Sequence, residues 1–91
     1  MRRIIYVVIG ECGEYSDREE WLVEAYPSED AAIARVVELE TLLRLHRVIP
    51  TIVAREHALR QHPRGDRNYQ TDYTGTTRYR YEPVPLEEVS T

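Results

Sequence analysis

The side chains of this chain best suited to nucleophilic or metal chemistry are a single thiol, Cys12, and the histidines His57 and His62. A thiol needs a base beside it to act as a nucleophile, and no local motif pairs Cys12 with a histidine. The expectation is a small packing residue. The two histidines are five residues apart, which on a helix separates them by about 140°, not the shared face that an i, i+4 zinc pair uses. Glu11, Glu14 and Asp17 could imitate a cation cage, yet they lack the alternating Asp/Asn positions and closing glutamate of a calcium loop. No glycine-rich phosphate loop, Ser-His-Asp order or cysteine cluster is present. The sequence therefore points to no catalytic residue, no metal and no cofactor, and to a protein that is not an enzyme.

Charge is the stronger signal. All twelve basic residues are Arg, and the formal net charge is −4. Glu11, Glu14, Asp17, Glu19 and Glu20 crowd the stretch GECGEYSDREE, where Arg18 is the only cation. Arg44, Arg47, Arg55, Arg60, Arg64 and Arg67 form a basic segment opposed only by Glu56 and Asp66. A bipolar molecule is expected, with an acidic tip able to steer a basic partner and an arginine-rich second half. The first candidate site is thus Glu11, Glu14, Tyr15, Asp17, Glu19 and Glu20, docking on a protein with a basic surface. The second is Arg55, Arg60, Arg64, Arg67, Arg78 and Arg80, with Tyr69, Tyr73, Tyr79 and Tyr81 as stacking surfaces for nucleic acid. The acidic total weakens that second reading, and Tyr79 and Tyr81 suit a core better.

The elements that must position these residues follow from length and pattern. At 91 residues, 42% hydrophobic and 31% charged, the chain fits one globular domain over residues 1–91, small enough to bury only about 60–65% of its unfolded surface. No apolar run is long enough for a membrane span, and the start MRRIIYVVIGE lacks a cleavage site, so a cytoplasmic chain with no membrane partner is expected. One cysteine excludes an internal disulfide. Residues 3–9 are continuously apolar, as for a strand central in a small sheet or covered on both faces. Residues 20–26 alternate Trp21, Val23 and Ala25 against Leu22, Glu24 and Tyr26.

Ser28 has the acceptor of an N-cap, and Glu29 and Asp30 place negative charge in a first turn. The helix expected over 29–46 carries Ala32, Ile33, Val36, Leu39 and Leu43 on one stripe, widened by Val37 and Leu42, with Arg35, Glu38 and Glu40 outside. Thr51 can cap a second helix over 52–61, although an extended segment also fits; residues 63–77 are rich in turn formers. Residues 77–82 alternate Arg78 and Arg80 with Tyr79 and Tyr81, and Pro83 and Pro85 place the end of that strand at a sheet edge. The expected fold class is α+β: a ββα(α)β domain whose three-stranded, mainly antiparallel sheet has order 2-1-3, with one long amphipathic helix on one face and a helix/loop insertion over 47–77.

Tyr6-Val7-Val8, Gly13-Glu14-Tyr15-Ser16-Asp17, Tyr26-Pro27-Ser28-Glu29-Asp30-Ala31-Ala32 and the terminal run Tyr81 to Glu88 together resemble a class of short uncharacterised proteins common in bacteriophage and prophage genomes. The resemblance covers about half the chain and implies a ββαβ-type fold and a mobile-element origin, hence residence in the host cytoplasm. It brings no activity. Three functions are consistent with these readings: a protein-binding module, such as an anti-CRISPR-like inhibitor of a host defence complex; a nucleic-acid-binding accessory protein; and a small structural homo-oligomer pairing through its final edge strand.

Overall fold

Three extended runs and two helical ones become β1 (Arg2–Cys12), β2 (Glu19–Tyr26), α1 (Glu29–His46), α2 (Ile52–Gln61) and β3 (Arg78–Glu87). A computed structural model describes residues 2–70 and 75–87, with the side chains of Arg2 and Tyr15 left aside. Tyr73 and Glu88, which figure in the sequence reading, and the Tyr15 ring lie outside the described residues. The sheet has order β2-β1-β3 and both pairings are antiparallel. The most apolar strand is central, as its composition requires.

Both helices start on the expected caps. Ser28 accepts from the Ala31 N–H at the start of α1, and Thr51 accepts from the Ala54 N–H at the start of α2, each satisfying a backbone donor that the first turn leaves unpaired. α1 lies against all three strands and against α2, whereas α2 contacts α1 alone among the described elements. Val8, Cys12, Trp21, Ala32, Leu39, Leu42, Leu43, Leu59, Tyr69 and Tyr79 form the core between them. Val8 and Cys12 fix the parity of β1: even-numbered residues face the helices, and Ile5, Val7, Ile9 and Glu11 face the other side of the sheet. Among the described elements no helix covers that side, so β1 is central rather than sandwiched.

Four local features refine or depart from the sequence pattern, each with an identifiable cause. β1 and β2 pair past Ile9, from Gly10↔Trp21 to Cys12↔Glu19, which shortens the connection to residues 13–18. Gly13, at φ +85°, makes its turn in a region that side chains avoid. Second, Val8 pairs with Glu24 but Ile9 with Leu22, leaving Val23 as the extra residue of a β-bulge. The bulge resets the alternation, so Tyr26 packs on the core while Ala25 is exposed.

Third, α1 is turned relative to its apolar stripe. Arg35, expected outside, is 6% exposed, while Ile33 and Val37 are 39% and 58% exposed. The Arg35 guanidinium is held by Glu24, Glu38 and the carbonyls of Arg64 and Gly65, enough acceptors to offset its burial. Fourth, β3 continues through both prolines, with Pro83 opposite Tyr6 and Pro85 opposite Ile4. The N–H of Tyr79 donates to Glu40 on α1 at 2.6 Å, so this parity of β3 points its backbone donors away from β1. Pro83 and Pro85 share that parity and have no donor to lose.

Candidate partner-docking surface

The hairpin end is built by two hooks. The Gly13 N–H donates to Thr76 Oγ1 at 2.7 Å, tying the turn to the segment before β3. The Glu14 N–H donates to Asp17 Oδ1 at 3.0 Å across a single 3-10 turn over Tyr15–Asp17, a local use of the aspartate that favours turns over strand pairing. Glu14, Asp17 and Glu19 emerge exposed at this end. Among the described residues none of the three has an ion-pair partner.

Glu11 and Glu20 behave differently. Glu11 sits on β1 beneath the side chains of the open face, and only 7% of its side chain is exposed. Arg18 Nη2 donates to it at 2.5 Å and Arg78 Nε at 2.9 Å, with Arg80 Nε at 3.6 Å. Burial disfavours the Glu11 carboxylate, but the hydrogen bond from Arg18 and the charge of Arg78 outweigh it and hold its pKa below the usual carboxylate value. Glu20 accepts from Arg18 at 2.8 Å and from Arg80 at 3.3 Å, and Arg80 also binds Glu82. Three arginines are thereby set against three glutamates across all three strands. The acidic stretch is split: Glu11 is an internal anchor, Glu20 is shared, and Glu14, Asp17 and Glu19 form the outward tip.

The arginines of the second candidate set are largely engaged within the fold. Arg55 donates to the Ile49 carbonyl at 2.8 Å, Arg60 pairs with Glu56 at 2.7 Å and donates to the Tyr69 carbonyl, and Arg64 pairs with Glu38 at 2.8 Å. Arg78 and Arg80 serve Glu11. Arg67 is exposed and has no ion pair among the described residues. Of the proposed stacking rings, Tyr69 and Tyr79 are buried at 4% and 7% exposure, and Tyr81 packs on the core against Tyr6. These rings are therefore occupied by the protein itself.

A cleft of about 340 Å³ lies between β2 and the turn after α2, lined by Glu24, Arg35, Arg64, Asp66, Arg67 and Asn68 among others. Two of its lining residues, Arg35 and Arg64, both bind Glu38, and the hydrogen bond from Arg64 followed by that from Arg35 lowers the Glu38 pKa despite some burial. Neither the buried Arg35 nor the buried Asp66 was legible as a site residue in the sequence. Ion pairs across 11 and 26 residues leave no periodic trace. Cys12 is buried. His57 is exposed on α2, while the His62 ring meets that of His46 at 5.9 Å between centroids. Among the described residues no group of three His, Cys, Asp or Glu side chains could hold a metal ion, and no helix is long and apolar enough to cross a membrane.

Around the ion pairs of Arg18, Arg78 and Arg80, the open sheet face also carries a strip of apolar side chains. Leu22 is 69% exposed, Ile9 is buried next to it, and Val7, Val84 and Leu86 continue the surface away from the tip. The tip and this strip together offer acidic steering groups bordering an apolar contact. No protein-family model matches this chain, and no curated protein or solved structure is significantly similar to it.

Proposed function

We propose that this protein is a non-enzymatic, cytoplasmic protein-binding module of phage or mobile-element origin, an inhibitor of a host defence complex that docks its hairpin end on a basic protein surface. One observation carries the reading: the tip carboxylates Glu14, Asp17 and Glu19 are exposed without cationic partners among the described residues, whereas five of the six arginines suited to nucleic acid have hydrogen-bond or ion-pair partners within the protein. What this surface presents to a partner near the hairpin is negative charge, which speeds and orients association with a positive patch. Leu22 and its neighbours supply the apolar contact that charge at a rim does not.

The experiment compares capture from host lysate by wild type, by Glu14→Gln/Asp17→Asn/Glu19→Gln, and by Arg60→Gln/Arg64→Gln/Arg67→Gln. The captured protein should be basic, should be retained by the arginine variant and lost by the acidic one, and should dissociate with rising salt. Retention by the acidic variant with loss by the arginine variant, or a mobility shift of short DNA or RNA by the wild type, overturns the proposal.

A further inference from the structure

Helix α1 is apolar on two sides. Its inner side carries Ala32, Leu39, Leu42 and Leu43 into the core. Its outer side carries Ile33, Ala34 and Val37, all exposed, and Thr41, whose hydroxyl folds back onto the Val37 carbonyl at 2.7 Å. This outer stripe has opposite charges at its two ends. Asp30 lies one turn before Ile33 and Arg44 lies one turn after Thr41's level, and both are exposed. Neither has an ion-pair partner among the described residues. The Arg44 guanidinium donates to Thr41 Oγ1 at 3.3 Å.

The spacing of Asp30, Ile33, Val37 and Arg44 by three, four and seven residues is that of a helix–helix seam. We propose that this face of α1 is the interface of a two-fold homodimer in which α1 packs antiparallel on α1 of a second copy, with Val37 near the axis. A two-fold at Val37 places Asp30 of each copy opposite Arg44 of the other and Ile33 opposite Thr41. A parallel alignment would set Asp30 against Asp30, so the charges select the antiparallel one, which the helix dipoles also favour. Ala34, Val37 and Thr41 are small enough for the axes to approach to about 8–10 Å. A second copy is the occupant that carries this complementary charge pattern by construction. The outer edge of β3 is a poorer route to self-association, because Pro83 and Pro85 lack donors and the Tyr79 N–H is taken by Glu40.

The test is sedimentation velocity of the full chain up to roughly 100 µM, well above a micromolar dissociation constant. Wild type should shift from monomer to dimer with concentration. Val37→Arg should be monomeric, with unchanged circular dichroism and, at concentrations low enough for wild type to be monomeric, an unchanged melting temperature. Asp30→Lys and Arg44→Glu should each weaken dimerisation by about tenfold, since each removes two symmetric pairs, and the double variant should restore it. A wild type that stays monomeric, a Val37→Arg variant that still dimerises, or a double variant no better than either single one overturns the proposal.

Discussion

The Trp21 indole donates to Asp66 Oδ2 at 2.8 Å, and the Tyr79 hydroxyl donates to the same oxygen at 2.7 Å. One carboxylate, 2% exposed, thus joins β2, the turn after α2 and β3. Trp21 further meets Tyr69 and Tyr79 edge to face. The approach is closed from below by Gly10, where a Cβ would come within 2.4 Å of the indole. Burial first, and the charge of Asp66 second, push the Tyr79 phenol far above its usual pKa, so it remains a donor.

Asp66→Asn tests this junction. An amide cannot accept on both of its heavy atoms, so at least one of the donors from Trp21, Tyr79 and the Asn68 N–H loses its acceptor. The expected cost is about 1–3 kcal/mol. Thermal melting and the emission of the single tryptophan read it. An unchanged melting temperature and spectrum would remove Asp66 from the structural core.

The strands, α1 and its Ser28 cap were legible because each rests on local pattern; residues 52–61, with Thr51 as a cap, fitted a helix or an extended segment, and the end of β3 was misplaced because Pro83 and Pro85 sit at positions whose donors point away from β1. Strand order followed from the composition of β1. The bulge at Val23 was not legible, since one inserted residue changes which side chains face inward without altering composition. The rotation of α1 was hidden for a related reason. Its stripe is apolar on both sides, and the choice between them is made by long-range acceptors for Arg35. The acidic stretch was legible as a cluster, but its division into an internal Glu11 and an external tip depends on Arg78 and Arg80 arriving from the far end of the sequence.

Arg35→Ala should destabilise by about 3 kcal/mol, the lower end for breaking a buried pair, because Glu24 and Glu38 keep partial access to water. The carbonyls of Arg64 and Gly65 lose their donor as well. Urea denaturation should show a lower midpoint, and Arg35→Lys should recover only part of it, since an ammonium cannot span four acceptors as the planar fork does. Full recovery by Lys would mean that charge alone holds this junction.

The two faces of α1 should respond differently to truncation. Leu39→Ala, at 2% exposure, is expected to cost about 2–5 kcal/mol. Ile33→Ala, at 39% exposure, should cost less than about 1 kcal/mol in the monomer. Equal losses, measured by denaturation at low protein concentration, would mean that the inner face has been misplaced.

Acid should unfold the protein through its paired carboxylates. In the folded state the pKa values of Glu11, Glu24 and Glu38 are all held below the usual carboxylate value. For a depressed carboxylate the stabilisation is complete above the unfolded pKa and is lost as pH falls through the folded one. Melting temperature should therefore be flat from neutrality to about pH 5 and fall steadily below it. Glu11→Gln should lower the unfolding free energy at neutral pH by about 2 kcal/mol, from charge-assisted hydrogen bonds lost to Arg18 and Arg78, and flatten the acid slope. An acid slope identical to wild type would exclude Glu11 as a contributor.

The pairing of Arg2 with Glu87 across β1 and β3 joins segments made at opposite times. During synthesis β1 can pair with β2 almost at once, but its other edge stays bare until residues 78–87 leave the ribosome. For that interval the most apolar strand of the molecule shows open backbone donors and acceptors to its surroundings. Contacts between such distant segments also demand loop closure before they give any return, which slows folding. The prolines that quiet the outer edge of β3 protect only the finished sheet. The nascent chain is most exposed to misassociation just before β3 docks, and conditions that stall translation there should lower soluble yield.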